Sequence, residues 1–299
     1  MSRFTRLLSL ISLVVTVSAG VIVQRDPVTP ARILSADPST ISAVSIAVRI
    51  ADPPVPDGYA FVFGPIDGAN VAPGDVQACA NECSTHSPDS VGGACQYFNM
   101  WRTLVVGLPI TYNCAMYYIP TDASTATNTG VLGVLRVSSS RGYRRISYLP
   151  DGGFESYNPG AFDFIESDAN WVGTSPPGGF PDATIFYDQL HARTGHSVAL
   201  LGSATGVDAD AGTLAPTAPL NTVEGQTYSI SFFEQSLSSG PVPSIDVVWN
   251  GEPVLTVHGQ ESWTYYEVEV TAAGNDLLGF HGGAAPAWSF IDDVAVFAL

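Results

Sequence analysis

The C-terminal half of the chain alternates apolar and polar residues in short runs separated by turn-forming residues. Seven such runs are found at 197–201, 226–233, 244–249, 253–257, 263–270, 276–280 and 289–297. Because side chains alternate between the two faces of a strand, this pattern predicts strands buried on one side. Asn250-Gly251 between two of the runs predicts a two-residue hairpin turn. With this spacing and no helical period, we expect an antiparallel β-sandwich of jelly-roll type over 151–299.

The first half of the chain combines strand-like runs with one helix-like segment. Residues 73–86 predict a short helix, because Pro73 and Asp75 lie near its start. Cys79 and Cys83 fall one turn apart on the same face of that helix. The strand-like runs around it are 41–50, 59–63, 95–101 and 114–119. Together these elements predict a small α+β module.

A boundary between the two halves is expected after residue 135. Residues 121–129 are rich in Thr and Ser, and the run SSSRG follows at 138–142. Such composition is typical of a linker. We therefore predict a first module over 37–135, a linker over 136–150 and the sandwich over 151–299, in a protein that is mainly β.

The N-terminus has a different apolar pattern. Arg3 and Arg6 precede an uncharged apolar run over 7–17, and small residues follow up to Ala19. This order predicts a secretory signal peptide over 1–19. The run is much shorter than the roughly 20 residues that a membrane-spanning helix needs. We therefore expect a secreted protein, located outside the cell or in the cell wall.

The charge of the chain restricts its partners. Its 11 basic residues are all arginine, and 28 Asp and Glu residues give a formal net charge of -17. From residue 151 onward, Arg193 is the single basic residue among the many acids. Such a charge repels polyanions, so we expect neither nucleic acid as a partner nor membrane insertion. The acids of this half either keep the surface hydrated or hold a calcium ion.

The four cysteines lie in one window, at Cys79, Cys83, Cys95 and Cys114. In an exported chain, and without a tight zinc-ligand spacing, they predict two disulfides. Three pairings are possible. A bridge between Cys79 and Cys83 would constrain little, because both lie on one helical face, so the useful pairings tie the helix to both later strands.

The cysteine segments CANEC (79–83), CQYFN (95–99) and CAMYY (114–118) resemble those of a PAN/apple-type domain. The resemblance covers about 37–135. It implies nested disulfides that pair Cys79 with Cys114 and Cys83 with Cys95. It also implies a module that binds proteins or carbohydrates without catalysis, although it does not name a ligand.

The second half resembles the carbohydrate-binding jelly-roll modules of the CenC-like type, which are related to galactose-binding-like sandwiches. The matching segments are DGGFE (151–155), HSVAL (196–200), VEGQTYSISF (223–232) and FIDDVAV (290–296). Such modules are attached to many fungal and bacterial secreted proteins, and the pair of modules looks fungal. The resemblance implies a structural calcium ion near the first and last strands.

Three acids are the candidates for that calcium site: Glu155 together with Asp292 or Asp293. They are expected on the first and last strands of the sandwich, which are neighbours when it closes. Carboxylates brought together there repel each other unless a cation or water separates them. The alternative is that they are hydrogen-bonded surface acids. No other cofactor is expected.

Sugar recognition needs aromatic faces for the C–H side of the ring and planar polar groups for its hydroxyls. Most aromatic residues belong to the core, so the candidates are those whose alternation places them elsewhere. Trp288 and His281 flank a glycine-rich segment, and Tyr265 points away from the core face of its strand. Glu234 and Gln235 end a strand, where side chains can line a groove. We predict that these five residues contact the ligand.

A search for catalytic motifs finds none that selects a reacting residue. The nucleophile elbow, the zinc-protease helix and the nucleotide-binding glycine loops are all absent from the sequence. We therefore predict a non-catalytic protein that binds polysaccharides or the glycans of glycoproteins. Two alternatives stay open: adhesion to an extracellular protein, and a glycan-active enzyme that uses an unmarked pair of acids.

Overall fold

The computed structural model describes residues 55–64, 73–105, 108–125, 130–131, 135–177, 181–204, 211–238, 243–282 and 287–299. Within them the protein is mainly β, with sixteen strands and one α-helix, as the alternation predicts. The signal peptide predicted over 1–19 and the strand predicted over 41–50 lie outside the described residues. No described helix has the length and apolar character needed to cross a membrane.

The first module is an antiparallel sheet with a helix packed on one face. Its elements are β1 (Tyr59–Phe63), α1 (Pro73–Thr85), β2 (Tyr97–Val105), β3 (Leu108–Tyr117), β4 (Gly130–Val131) and β5 (Leu135–Arg145). The sheet order is β1-β5-β2-β3, and β4 pairs with β5. The helix begins at the predicted residue and buries Val76 and Ala80 in a cluster with Tyr59, Phe98 and Tyr143.

Two disulfides fix α1 to the sheet. Cys79 is bonded to Cys114 on β3, and Cys83 is bonded to Cys95 just before β2, with Cα–Cα distances of 5.9 and 5.4 Å. This is the nested pairing that the PAN/apple resemblance implied. Because each bridge starts on a different turn of the helix, the helix can neither slide nor rotate over the sheet.

The strand β5 occupies most of the segment 136–150 that the sequence predicts as a linker. It is a central strand, bonded to both β1 and β2. Its register with β2 shifts within 138–141, and Ser139 has a φ of 53°. The bulge interrupts the alternation of side chains, and the serines give the segment a linker-like composition. The sequence pattern therefore does not predict this strand. Tyr143, in its second half, is fully buried.

The second module is a β-sandwich of two antiparallel sheets with a jelly-roll fold, as the sequence predicts. Its strands are β6 (Asp163–Ile165), β7 (Trp171–Thr174), β8 (Ala183–Tyr187), β9 (Ser197–Leu201), β10 (Gly212–Pro216), β11 (Thr227–Ser238), β12 (Ser244–Trp249), β13 (Glu252–His258), β14 (Thr264–Thr271), β15 (Leu278–Gly282) and β16 (Ala287–Ala298). The five-stranded sheet has the order β13-β12-β15-β10-β7. The six-stranded sheet has the order β14-β11-β16-β9-β8-β6.

The core lies between the two sheets and includes Trp171, Phe232 and Phe280, all fully buried. The hairpin turn predicted at Asn250-Gly251 is confirmed, because both residues have positive φ, 54° and 88°, and β12 pairs directly with β13. The strand predicted over 276–280 begins two residues later. Asp276 instead precedes the strand. It is buried, and its carboxylate accepts hydrogen bonds from the N–H groups of Ala273 and Gly274.

The two modules are in direct contact. The Arg145 guanidinium lies 4.2 Å from the ring centre of Phe297 and donates to the Ala298 carbonyl at 3.3 Å. A Cβ on Gly93 of the first module would lie 3.1 Å from ring atoms of both Phe233 and Tyr265. The first module therefore covers part of the outer face of the six-stranded sheet.

Candidate functional site

Trp288 is a half-exposed tryptophan at the start of β16. Its side chain is 42% exposed, and Leu237, directly opposite on β11, is 38% exposed. The indole N–H donates to the carbonyl oxygen of Ser203 at 2.8 Å. Since this bond satisfies the one polar atom of the side chain, Trp288 presents only apolar ring surface to solvent, in a fixed orientation.

Gln235 shares the outer face of β11 with Leu237, because residues two apart on a strand point the same way. Its amide Nε2 donates to the Glu261 carbonyl at 2.8 Å. Next to it, Trp263 packs on the cluster that contains Phe290. We call the surface formed by Gln235, Leu237 and Trp288 the tryptophan platform. The structure thus brings together two of the five predicted ligand residues.

Glu234 cannot contact a surface ligand, and this part of the prediction is wrong. The strand does not end here but continues to Ser238, so alternation directs Glu234 into the sandwich, where it is fully buried. Its carboxylate accepts hydrogen bonds from the Ser236 hydroxyl and from the Gln260 N–H, the latter at 3.2 Å. Burial raises the pKa of this carboxyl above its usual value.

Glu234 helps to hold the loop 259–262 beside the tryptophan platform. Three successive residues of β11 bond this loop: the Glu234 carboxylate, the Gln235 amide and the Ser236 N–H, which donates to the Gln260 carbonyl at 2.7 Å. The Ser236 hydroxyl is also 2.9 Å from that of Ser289 on β16. Glu234 is therefore a positioning residue for the platform.

Tyr265 lies on the outer face of β14, as the alternation predicts, but it faces the first module. Its ring centre is 5.2 Å from that of Phe233, and Gly93 packs against both rings. Its hydroxyl donates to Glu267 Oε2 at 3.1 Å. A ring covered in this way belongs to the contact between modules and is not open to a ligand.

His281 lies on the other sheet of the sandwich, away from Trp288. It is exposed on β15, and its Nδ1 is 2.8 Å from the Thr213 hydroxyl. Its partner across the strands is Asp246, whose Oδ1 accepts a hydrogen bond from Thr256. His281 is thus one member of a polar row on the outer face of the five-stranded sheet.

The acids predicted to bind calcium hold the loop 193–197. Glu155 Oε1 accepts the N–H groups of His196 and Ser197 at 2.8 and 3.1 Å, and Glu155 Oε2 is 3.0 Å from His196 Nε2. Asp292 Oδ2 accepts the N–H groups of the first two loop residues at 2.8 and 3.2 Å. Both carboxylates are therefore acceptors for backbone donors of one loop.

Asp292 is a buried acid next to a second acid. It is fully buried on β16, and burial together with the charge of Asp293 raises its pKa to about 8. Asp293 forms a β-bulge with a φ of 50° and accepts the Thr194 hydroxyl at 2.7 Å. It also binds the guanidinium of Arg193. This arginine supplies a positive charge close to the two acids.

The donor set at this place fits a calcium ion in part. A Cβ on Gly153 would lie 3.7 to 3.9 Å from Glu155 Cγ, Asp293 Oδ1 and Asp292 Oδ1, so the three side chains converge. Among the described residues, however, no three His, Cys, Asp or Glu side chains are spaced to hold a metal ion. Calcium takes six to eight oxygen ligands, so an ion here would also need backbone or water oxygens.

Arg193 is an important residue that the sequence analysis does not assign. Its guanidinium lies 3.4 Å from the ring centre of Phe233, binds Asp293 and donates to the Val91 carbonyl of the first module. The signal that could have identified it is its isolation, because it is the only basic residue after residue 150. A lone cation among acids is expected to pair with them.

No protein-family model matches the chain, and no curated protein matches it either. Among solved structures, TmCBM61 in complex with β-1,4-galactotriose is similar, with 15% identity and a TM-score of 0.34 over 52% of this chain and 99% of that chain. The xylan-binding domain CBM22-1 of Paenibacillus barcinonensis Xyn10C has 14% identity and a TM-score of 0.33, over 46% and 96%. The N-terminal cellulose-binding domain of Cellulomonas fimi β-1,4-glucanase C has 17% identity and a TM-score of 0.29, over 45% and 91%. Likenesses this distant do not identify a ligand for this chain.

Proposed function

We propose that the protein is a secreted, non-catalytic glycan-binding protein that takes a polysaccharide on the tryptophan platform. The observation that supports this most is Trp288, a residue that is 42% exposed while its indole N–H donates to the Ser203 carbonyl. A rigid, exposed aromatic ring without a free polar atom suits the C–H face of a sugar, because stacking there removes apolar surface from water. Leu237 extends this apolar surface.

The rest of the platform supplies polar groups for sugar hydroxyls. The Gln235 amide has both donor and acceptor capacity, and its bond to the Glu261 carbonyl uses one donor. An amide oriented in this way can bond a hydroxyl beside the stacked ring. The combination of one apolar ring and a planar polar group favours a neutral polysaccharide, since the formal charge of -17 repels polyanions.

Secretion is supported by the cysteines. All four are in disulfides, and such bonds persist in oxidising compartments outside the cytosol. The location we propose is the extracellular space or the cell wall. For the first module we propose a PAN-like role in binding an extracellular protein or glycan, which its nested disulfides support.

A structural calcium ion near Glu155, Asp292 and Asp293 is a further part of the proposal. It is supported by the approach of the Glu155, Asp292 and Asp293 side chains to one another near Gly153 and by the raised pKa of buried Asp292, because a cation would stabilise its charged form. Calcium would supply positive charge and rigidity to the loop 193–197. The proposed role of the ion is structural and not catalytic.

The experiment that tests glycan binding is retention of the full chain on insoluble or immobilised polysaccharides. The full chain is needed because the first module covers part of the sandwich. Cellulose, chitin, xylan and β-galactan are the probes, with bovine albumin as a non-binding control. Retention on at least one of them is expected, and it should be lost in the Trp288→Ala variant. A folded chain that none of these polysaccharides retains would overturn the proposal.

A further inference from the structure

A cavity of about 580 Å³ lies between the two modules. The first module lines it with Gln96 and Arg144, and the sandwich lines it with Asp151, Glu155 and residues of β16. Ligand sites typically have volumes of about 300 to 1,000 Å³. Because both modules contribute walls, neither forms this cavity alone.

Two polar residues of the first module line the cavity, and their side chains have no partner among the described residues. Arg144 is exposed at the end of β5, and no hydrogen bond or ion pair engages its guanidinium within that part of the chain. Gln96 uses both its backbone groups, with its N–H on the Tyr117 carbonyl and its carbonyl on the Arg145 N–H. Its side-chain amide makes no such bond there.

The opposite wall combines acids with apolar residues such as Val294 and Phe297. Asp151 accepts hydrogen bonds from Ser156, and Glu155 is held by His196. The acids on this wall and the arginines Arg144 and Arg145 on the facing wall oppose each other in charge, so the cavity as a whole favours neither an anion nor a cation. Carboxylates only accept hydrogen bonds and a guanidinium only donates them, whereas a hydroxyl does both. A neutral ligand rich in hydroxyls therefore satisfies the two walls together.

We propose that this cavity binds a neutral sugar unit, whose hydroxyls are bonded by Arg144 and Gln96. The site is separate from the tryptophan platform: Trp288 and Val294 are six residues apart on β16, a distance of about 20 Å. The protein would then hold glycans at two places, one on the sandwich alone and one that requires both modules. The second site gives the contact between the modules a binding function.

The test is titration of the full chain with galactose, glucose, mannose and xylose, each up to about 100 mM so that a millimolar Kd weakened tenfold stays measurable. Saturation-transfer NMR reports which of them binds. Arg144→Ala and Gln96→Ala are the site variants. Arg102→Ala is the matched control, since it removes the same charge from a position of the first module outside the cavity lining.

At least one sugar is expected to bind, with an affinity reduced about tenfold or more by Arg144→Ala and by Gln96→Ala, and unchanged by Arg102→Ala. If no sugar binds, or if Arg144→Ala binds as well as the wild type, the inference is overturned. If Trp288→Ala removes binding and Arg144→Ala does not, the sugar occupies the platform. That result would overturn this inference while leaving the proposed function intact.

Discussion

The guanidinium of Arg193 lies 3.4 Å from the ring centre of Phe233, and the same group donates a hydrogen bond to the Val91 carbonyl of the first module. Its third partner is Asp293. One side chain thus connects the bulge of β16, the outer face of β11 and the first module. A planar guanidinium can make these contacts at once, whereas an ammonium group cannot.

Replacement of Arg193 should weaken the contact between the modules. Arg193→Ala is expected to lower the free energy of unfolding by about 2 kcal/mol, since it removes a cation–π contact and charge-assisted hydrogen bonds. Arg193→Lys should recover only part of this, because it keeps the charge but not the planar fork. Urea unfolding of the full chain measures both. A loss below about 0.5 kcal/mol in Arg193→Ala would show that this residue does not connect the modules.

The buried carboxyl of Glu234 predicts a pH dependence of stability. Its pKa is raised in the folded protein, so the folded state binds this proton more tightly than the unfolded state does. The protonated Glu234 carboxyl stabilises the folded state fully below its unfolded-state pKa of 4.5. This stabilisation is lost as the pH rises through the raised folded-state pKa. Glu234→Gln cannot titrate and should therefore gain stability relative to the wild type between pH 4.5 and 7.

Urea unfolding of wild type and Glu234→Gln at both pH values measures this difference, because every other titrating group is shared. The Gln side chain can still accept the Gln260 N–H, so the loop 259–262 should keep its place and glycan retention should persist. A difference in stability that is constant or shrinks with rising pH would disprove the raised pKa.

Calcium should raise the melting temperature if an ion is bound near Glu155 and Asp292. Binding to the folded state alone stabilises it by about 2.7 kcal/mol when the free ion is at 100 times its Kd. The midpoint in calcium should therefore exceed that in EDTA, and Glu155→Gln should remove the shift. Magnesium is the control ion, because it prefers smaller octahedral sites. Equal midpoints in calcium and in EDTA would reject the calcium site.

Local patterns predict the elements of the fold where one face of a strand is buried and the other is solvated. The run at 244–249 is such a case, and the structure has a strand at those bounds in which buried residues alternate with more exposed ones. The run at 197–201 also forms a strand at the predicted bounds, although all five of its residues are buried. The sequence does not predict the strand β8, Ala183–Tyr187, in which four of the five residues are buried and polar residues do not alternate with apolar ones. The strand β10 contains Gly212 and Pro216, which are typical of turns.

The candidate site could be predicted only in part, because its contacts connect residues far apart in sequence. The position of Trp288 beside a glycine-rich segment predicts its exposure, but its partner Ser203 lies 85 residues away. The inward direction of Glu234 depends on how far β11 continues, which the local pattern does not determine. The covering of Tyr265 depends on the first module. The alternation of residues within the sandwich sequence therefore does not predict the burial of Glu234 or the covering of Tyr265.

The measurement that tests the central claim most directly is the affinity of Trp288 variants for the polysaccharide that retains the wild type. Trp288→Ala should bind at least about tenfold more weakly, a loss of about 1.4 kcal/mol, and Trp288→Phe should bind with intermediate affinity because it keeps a smaller ring. Phe162→Ala is the control, since it removes another exposed aromatic ring, 66% exposed, outside the platform. Wild-type affinity in a folded Trp288→Ala variant would contradict the account.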